Sequence, residues 1–221
     1  MNMKMLCVAA LALSAGTSFG AIYADATGDI AVPNPNLDIS GVTVTNTATS
    51  LTFSIQVTDN VAATNWGKYL IFIDTNGNAS GRADNPWTRP INTNGRLNDI
   101  YIGSWIDGGG GTQLWKDIGG WVQTDGGVPD LSQAAAGTTS ITFSLAQLGL
   151  VPGQTIFFDV ATSGGGSGDP GIDHLSVAGQ ATSGWGNPST AGAYASYTLV
   201  PSPGSFGLLA LGGLAALRRR R

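Results

Sequence analysis

Six tryptophans and fourteen aspartates carry most of the recognisable chemistry in this chain, and no glutamate occurs. A flat aromatic face with a polar edge suits a sugar ring. Trp66, Trp87 and Trp185 stand among Asn, Gly and Pro, the composition of loops, where a tryptophan stays partly exposed and free for recognition. They are the candidate carbohydrate-binding residues, although a tryptophan that caps the end of a β fold has the same local sequence. Trp105 and Trp121 lie in strand-like segments and are expected in the core. The stretch DTNGNASGRAD places Asp74, Asn76 and Asn78 at alternate positions, with Asp84 behind them. Hard Ca²⁺ takes several oxygens converging from a tight turn, so these four are the candidate metal ligands. The twelve-residue calcium-loop pattern is broken there, because Ala79 stands where glycine is required and Asn85 where a bidentate Glu belongs. The same residues also read as a strand-ending turn of Asx caps. Asp169 and Asp173 offer a second acidic group, and the lone His174 reads as a hydrogen-bonded loop residue.

Nothing in the chain marks a catalytic centre. There is no G-x-S-x-G elbow, no HExxH and no phosphate loop. A glycosidase needs two placed carboxylates, and fourteen aspartates contain many pairs with nothing to single one out. The expected protein is not an enzyme; a secreted hydrolase is the remote alternative.

These residues sit between two segments that read as addresses. Residues 1–20 have the order of a secretory signal peptide, with Lys4, an apolar run Leu6–Leu13, and small residues Ser18 and Gly20 at the positions signal peptidase reads. Cleavage after Gly20 removes Cys7, Met1, Met3 and Met5, which leaves no sulfur side chain. Disulfides, thiolate nucleophiles, cysteine zinc sites and iron–sulfur clusters are thereby excluded from the mature protein. Between Ala21 and Val200, five cations face all fourteen aspartates, a net charge of −9 against −4 for the whole chain. Phosphate backbones attract a basic face, so nucleic acid is not an expected partner.

The elements that must position the site are strands. Gly41–Asn46 and Ser50–Thr58 alternate apolar with Thr, Ser or Gln around a hairpin-length link. Lys68–Asp74, Asn98–Ile106, the TQLWKD and GGWVQT segments, Thr139–Leu145, Thr155–Thr162 and Ala193–Leu199 continue the series, and only Leu145–Leu148 reads as a helical turn, closed by Gly149. About nine short strands with Gly-rich turns predict an all-β protein, a single antiparallel β-sandwich of jelly-roll or immunoglobulin-like kind over residues 21–199.

At the C-terminus, Pro201, Ser202 and Pro203 precede an apolar run from Phe206 to Leu217 and then Arg218, Arg219, Arg220 and Arg221. Twelve helical residues span about 18 Å, short of the roughly 30 Å hydrocarbon core, and prolines and snorkelling arginines extend the reach. The arginines stay cytoplasmic, which places the domain outside. The order of a small-Pro-x-Pro step, a Gly/Leu/Ala helix and a basic end resembles the PEP-CTERM sorting signal, with Ser202 where that family usually has Glu. The resemblance implies that segment 200–221 anchors the chain transiently in the inner membrane, that an exosortase-type enzyme processes it, and that the domain reaches the cell surface or extracellular matrix. A plain single-pass anchor is the alternative.

The central segment carries a second resemblance. LDISGVTVTNTATSLTFSIQVTDN, followed by NWGKYLIFIDTNGNASG and later by ITFSLAQLGLVPGQTIFFDVATS, is similar to the family 9 carbohydrate-binding and DOMON-like domains. It implies a β-sandwich with a sugar or haem ligand. Haem held by Met and His, common in such relatives, has no methionine available in the mature chain, so no haem is expected. The resulting expectation is a non-catalytic carbohydrate-binding module that takes polysaccharide, with Ca²⁺ as its possible metal. A structural surface or matrix protein without a small ligand is the alternative.

Overall fold

The computed structural model describes residues 19–201, and these are all-β apart from short helical turns. In chain order the strands are β1 (Phe19–Ala24), β2 (Ile39–Asn46), β3 (Ser50–Val57), β4 (Lys68–Asp74), β5 (Ile91–Asn92), β6 (Ile100–Trp105) and β7 (Gly111–Asp117). They continue with β8 (Trp121–Gly127), β9 (Thr138–Ser144), β10 (Thr155–Ser163), β11 (Gly171–His174), β12 (Ser189–Thr190) and β13 (Ala195–Thr198). A four-stranded sheet has the order β1-β2-β3-β9, and a seven-stranded sheet the order β11-β10-β4-β6-β7-β8 with β13 also on β10. Every pairing in both sheets is antiparallel, while β5 and β12 form a separate two-residue parallel pair.

The nine expected strands are all present, and α1 (Leu145–Leu148) stands where a helical turn was read. Its Ser144 N-cap forms a capping box with Gln147, and Gly149 closes it in the left-handed conformation. Four strands had no clear signal. β1 begins at Phe19, two residues before the expected cut, and pairs with β2 along its whole length. β5, β11 and β12 are two to four residues long, too short to show a period. The rest of segment 1–20, together with Ser202, Pro203 and the Arg218–Arg221 tail, lies outside the described residues. Among the described residues no helix is long and apolar enough to cross a membrane.

Alternation decides what each strand buries. Val42 and Val44 of β2, Leu51, Phe53 and Ile55 of β3, and Ile141 and Phe143 of β9 face Tyr69, Ile71 and Ile73 of β4 and Ile156, Phe158 and Val160 of β10 in one cluster. The two sheets therefore share a core. The ring of Phe158 meets Tyr23 edge-on at 5.1 Å and Phe53 at 5.3 Å, which ties the sheets together at their centre.

The seven-stranded sheet also buries its other face. Leu70, Phe72 and Tyr101 point away from the shared core and form a second cluster with Ile91 and Ala161, against which Trp87, Trp115, Trp121 and Tyr194 pack. The long connection between β4 and β6 supplies the cover for that face. Gly103 permits it: a side chain there would collide with the Trp87 ring.

One buried polar side chain locks the last strand to the first hairpin. Asn46 Oδ1 accepts from Tyr197 Oη at 2.7 Å and from Val200 N at 3.0 Å, while Nδ2 donates to the carbonyls of Val200 and Thr47. Asn46→Ala removes all four of these hydrogen bonds from one buried side chain, and is expected to cost about 1–3 kcal/mol. Denaturant unfolding checks this through a lowered midpoint at unchanged slope.

Candidate functional site: a tryptophan groove and an acidic cluster

The outer face of the seven-stranded sheet opens into a groove of about 380 Å³ lined by Lys68, Trp87, Arg89, Trp105, Gln113 and Gly165 among others. Strand parity builds its floor. Lys68 and Trp105 are paired in register, as are Gly103 and Gln113, and all four point to the outer face. Trp87 arrives from the β4–β6 connection and lies on Gly103. Its Nε1 donates to Gln113 Oε1 at 2.8 Å, and Trp115 Nε1 donates to the same oxygen at 3.1 Å. The Trp87 ring meets Tyr101 edge-on at 5.7 Å and lies 6.3 Å from Trp105 at 47°. Its orientation is thus set by one hydrogen bond and two ring contacts.

Arg89 lines the groove behind Trp87, with its guanidinium carbon 5.4 Å from the ring centre. Nη1 donates to Ser163 Oγ and to the carbonyls of Gly166 and Asp169, which pins the Gly-rich loop after β10. Nε is buried without a partner, and burial lowers the guanidinium pKa. At the rim, Lys68 Nζ pairs with Asp107 Oδ1 at 2.7 Å. That contact holds the Asp107 carboxyl below the usual range.

The pinned loop also joins the groove to a second depression, of about 370 Å³, lined by Trp66, Gly165, Gly166, Asp169 and Trp185. Trp66 and Trp185 meet edge-to-face at 5.8 Å, and Trp185 is 40 % exposed. Gly164 is required here, since a side chain would collide with Trp185 and the Asp169 carboxylate. The three tryptophans singled out from sequence therefore reach one surface: Trp66 and Trp185 as a pair, Trp87 beyond Gly165. Trp105 joins them. It had been expected in the core, but its parity on β6 turns it outward, and it lines the groove. Trp121 likewise leaves the shared core for the outer cluster, with Nε1 donating to Asp84 Oδ1 at 2.9 Å.

The four residues expected to hold calcium are engaged separately. Asp74 is fully buried; its Oδ2 takes Arg96 Nη1 at 2.7 Å and its Oδ1 the Asn76 amide. Asn76 Oδ1 accepts from the amides of Ala79 and Ser80, and Asn78 Oδ1 from that of Leu97. Asp84 is chelated by Arg82 through Nε and Nη2, which lowers its pKa. This is the geometry of the Asx-capped turn that the sequence equally allowed. Of the second acidic group, Asp169 caps the Gly loop by accepting from Gly166 N.

Asp173 lies elsewhere, in a cluster whose other members the sequence did not mark. Carboxylate oxygens of Asp29, Asp38 and Asp173 lie within 4.8 Å of one another. Asp25 is close enough to raise the Asp173 pKa, which burial first and this charge after it push up to about 8. Asp25 itself rises to about 7, again chiefly by burial, with Asp29 and Asp38 adding repulsion.

On the other side of β11, Asp159, His174 and Ser189 form a hydrogen-bonded chain. His174 Nδ1 is 2.7 Å from Asp159 Oδ2, and Nε2 is 3.0 Å from Ser189 Oγ. Gly171 N donates to that same hydroxyl oxygen, so the hydroxyl hydrogen is free to donate to Nε2 and Nδ1–H donates to the carboxylate. The order matches a nucleophilic triad. All three side chains are fully buried, so the chain serves to join β10, β11 and β12.

Comparison with family models, curated proteins and solved structures finds no match to this chain.

Proposed function

We propose that the protein is a non-catalytic carbohydrate-binding module on an antiparallel β-sandwich, exported by its signal peptide and delivered to the cell surface or matrix by exosortase-type processing. The observation that carries the binding reading is the continuous surface of Trp105, Trp87, Trp66 and Trp185 across the Gly-rich loop. Sugar recognition needs apolar faces beside hydrogen-bonding edges. Lys68, Arg89, Asp107 and Gln113 stand beside Trp87 and Trp105 in the same groove. The paired sheets sharing one core support the sandwich, and the burial of Ser189, His174 and Asp159 supports a role without turnover.

The test is retention of the purified protein on a panel of insoluble polysaccharides. Trp185→Ala removes the most exposed ring of the site and is expected to weaken retention about thirtyfold, roughly 2 kcal/mol, with an unchanged melting temperature. Trp66→Ala and Trp87→Ala weaken it as well. Wild-type protein that is retained on no polymer sinks the proposal. In that event concentration-dependent self-association would favour the structural-protein reading, since β8 is a sheet edge carrying exposed Val122 beside exposed Ile118 and Val128.

A further inference from the structure

Three carboxylates, those of Asp29, Asp38 and Asp173, converge where the segment before β2 meets β11, with Asp25 nearby. Asp38 is 4 % exposed; its Oδ2 accepts from Gly28 N at 2.8 Å and Thr58 Oγ1 at 3.1 Å. Its Oδ1, inside the cluster, has neither a hydrogen-bond partner nor solvent. Both oxygens of Asp29 and Oδ2 of Asp25 are sealed and unpartnered in the same way. Asp173 is oriented by backbone amides, Ile39 N on Oδ2 at 2.6 Å and His174 N on Oδ1 at 2.8 Å. Among the described residues no salt bridge reaches Asp25, Asp29, Asp38 or Asp173. Lys68, Arg82 and Arg96 pair with other aspartates, His174 is hydrogen-bonded to Asp159, and Arg89 Nη1 donates to Ser163, Gly166 and Asp169. A buried carboxylate without a partner is strongly disfavoured, and four together are more so.

We infer that Asp29, Asp38 and Asp173, with Asp25 beside them, hold a calcium ion. The donors are all hard oxygens, with no sulfur and with the one histidine committed to Asp159. Opposite ligands at a calcium–oxygen distance of about 2.4 Å stand about 4.8 Å apart, which accommodates oxygens no farther apart than these. Two ligands come from the irregular segment before β2, and one from a strand. Backbone amides and a hydroxyl already fix Asp38 and Asp173, as the outer partners of metal ligands do.

The ion's structural consequence is local. Segment 25–38 contributes Val32 and Leu37 to a small cluster with Ile172, against which Ile30 and Trp66 pack. Tying Asp29 and Asp38 to Asp173 clamps that segment onto β11 and underpins one wall of the Trp66–Trp185 surface. The cation site stands without the sugar-binding reading, because it rests on the carboxylates alone.

The test is calorimetric titration of chelator-treated, purified protein with CaCl₂, and separately with MgCl₂, alongside thermal melts. One calcium per chain is expected, with magnesium at least tenfold weaker. The melting temperature should rise about 5 °C or more at a hundredfold excess of calcium over Kd. Asp29→Asn and Asp38→Asn should each weaken calcium at least tenfold. They should also invert the order of stability: in chelator, losing a repelled carboxylate raises the melting temperature above wild type, while in calcium wild type melts higher. A structural hydrogen bond alone would lower it in both buffers. Asp84→Asn, in the turn after β4, should leave calcium binding unchanged. Wild type that neither binds nor is stabilised by millimolar calcium overturns the assignment. So do Asp29→Asn and Asp38→Asn proteins that fold and bind as wild type does, or binding that Asp84→Asn abolishes.

Discussion

Phe158→Ala should lower the stability of the fold by about 3–5 kcal/mol, the range for deleting a buried aromatic ring. Phe158 is fully buried in the middle of β10, and its ring is the meeting point of the two sheets, edge-on to Tyr23 of β1 and Phe53 of β3. Alanine leaves a void that strands paired on both sides of β10 cannot collapse to fill, because β4 and β13 hold their register. Against a typical total of about 5–15 kcal/mol, the loss takes about a fifth or more of what holds the domain together. Urea unfolding reads it as a fall in midpoint at constant slope. Phe158→Leu keeps most of the volume and should cost about half as much or less. Equal losses from both variants would mean that ring packing is not the source of the stability.

His174→Ala is the second large effect, and its origin is electrostatic. The histidine sits between Asp159 and Ser189, and the carboxylate is fully buried. Removing the imidazole leaves Asp159 Oδ2 without its partner, while Oδ1 keeps only the Ser176 amide. Leaving a buried carboxylate oxygen unsatisfied costs more than the roughly 1–3 kcal/mol of a neutral group. Ser189→Ala takes away a single neutral hydrogen bond to the ring and one from Gly171, and should cost about 1–2 kcal/mol. Thermal melts of the two variants check the gradient. A Ser189→Ala cost equal to that of His174→Ala would refute this ordering of donors.

Both effects lie in parts of the fold that local pattern reveals unequally. The strand that carries Phe158 was legible, because Thr155–Thr162 reads as β. The strand of its partner Tyr23 was not, since β1 starts inside a stretch whose Lys and apolar run read as a signal peptide. The triad-like chain was illegible. Asp159 and His174 are 15 residues apart and His174 and Ser189 a further 15, and only the pairing of β10 with β11 brings the first two into contact.

The site divides in the same way. Trp66, Trp87 and Trp185 were recognisable from their loop composition, because Gly, Asn and Pro around an aromatic ring favour exposure whatever the fold. Trp105 was misplaced because alternation says that a strand has two faces and does not say which one meets the other sheet. Here the outer face is also covered, by the connection between β4 and β6, so both parities look equally apolar. For the aspartates, DTNGNASGRAD drew attention because its oxygens are adjacent in sequence. The structure spends each on a turn amide or an arginine.

The sequence by itself determined the all-β class, nine of the thirteen described strands, the helical turn at Leu145–Leu148 and the acidic surplus. Those properties follow from period, cap and composition, which act over a few residues. The tertiary structure alone decided which aspartates converge. Asp25, Asp29 and Asp38 precede Asp173 by more than a hundred positions, and they meet because β11 lies beside the irregular segment that leads into β2. Long-range strand pairing has no local signature, and a carboxylate cluster assembled by it is visible only once the chain is folded.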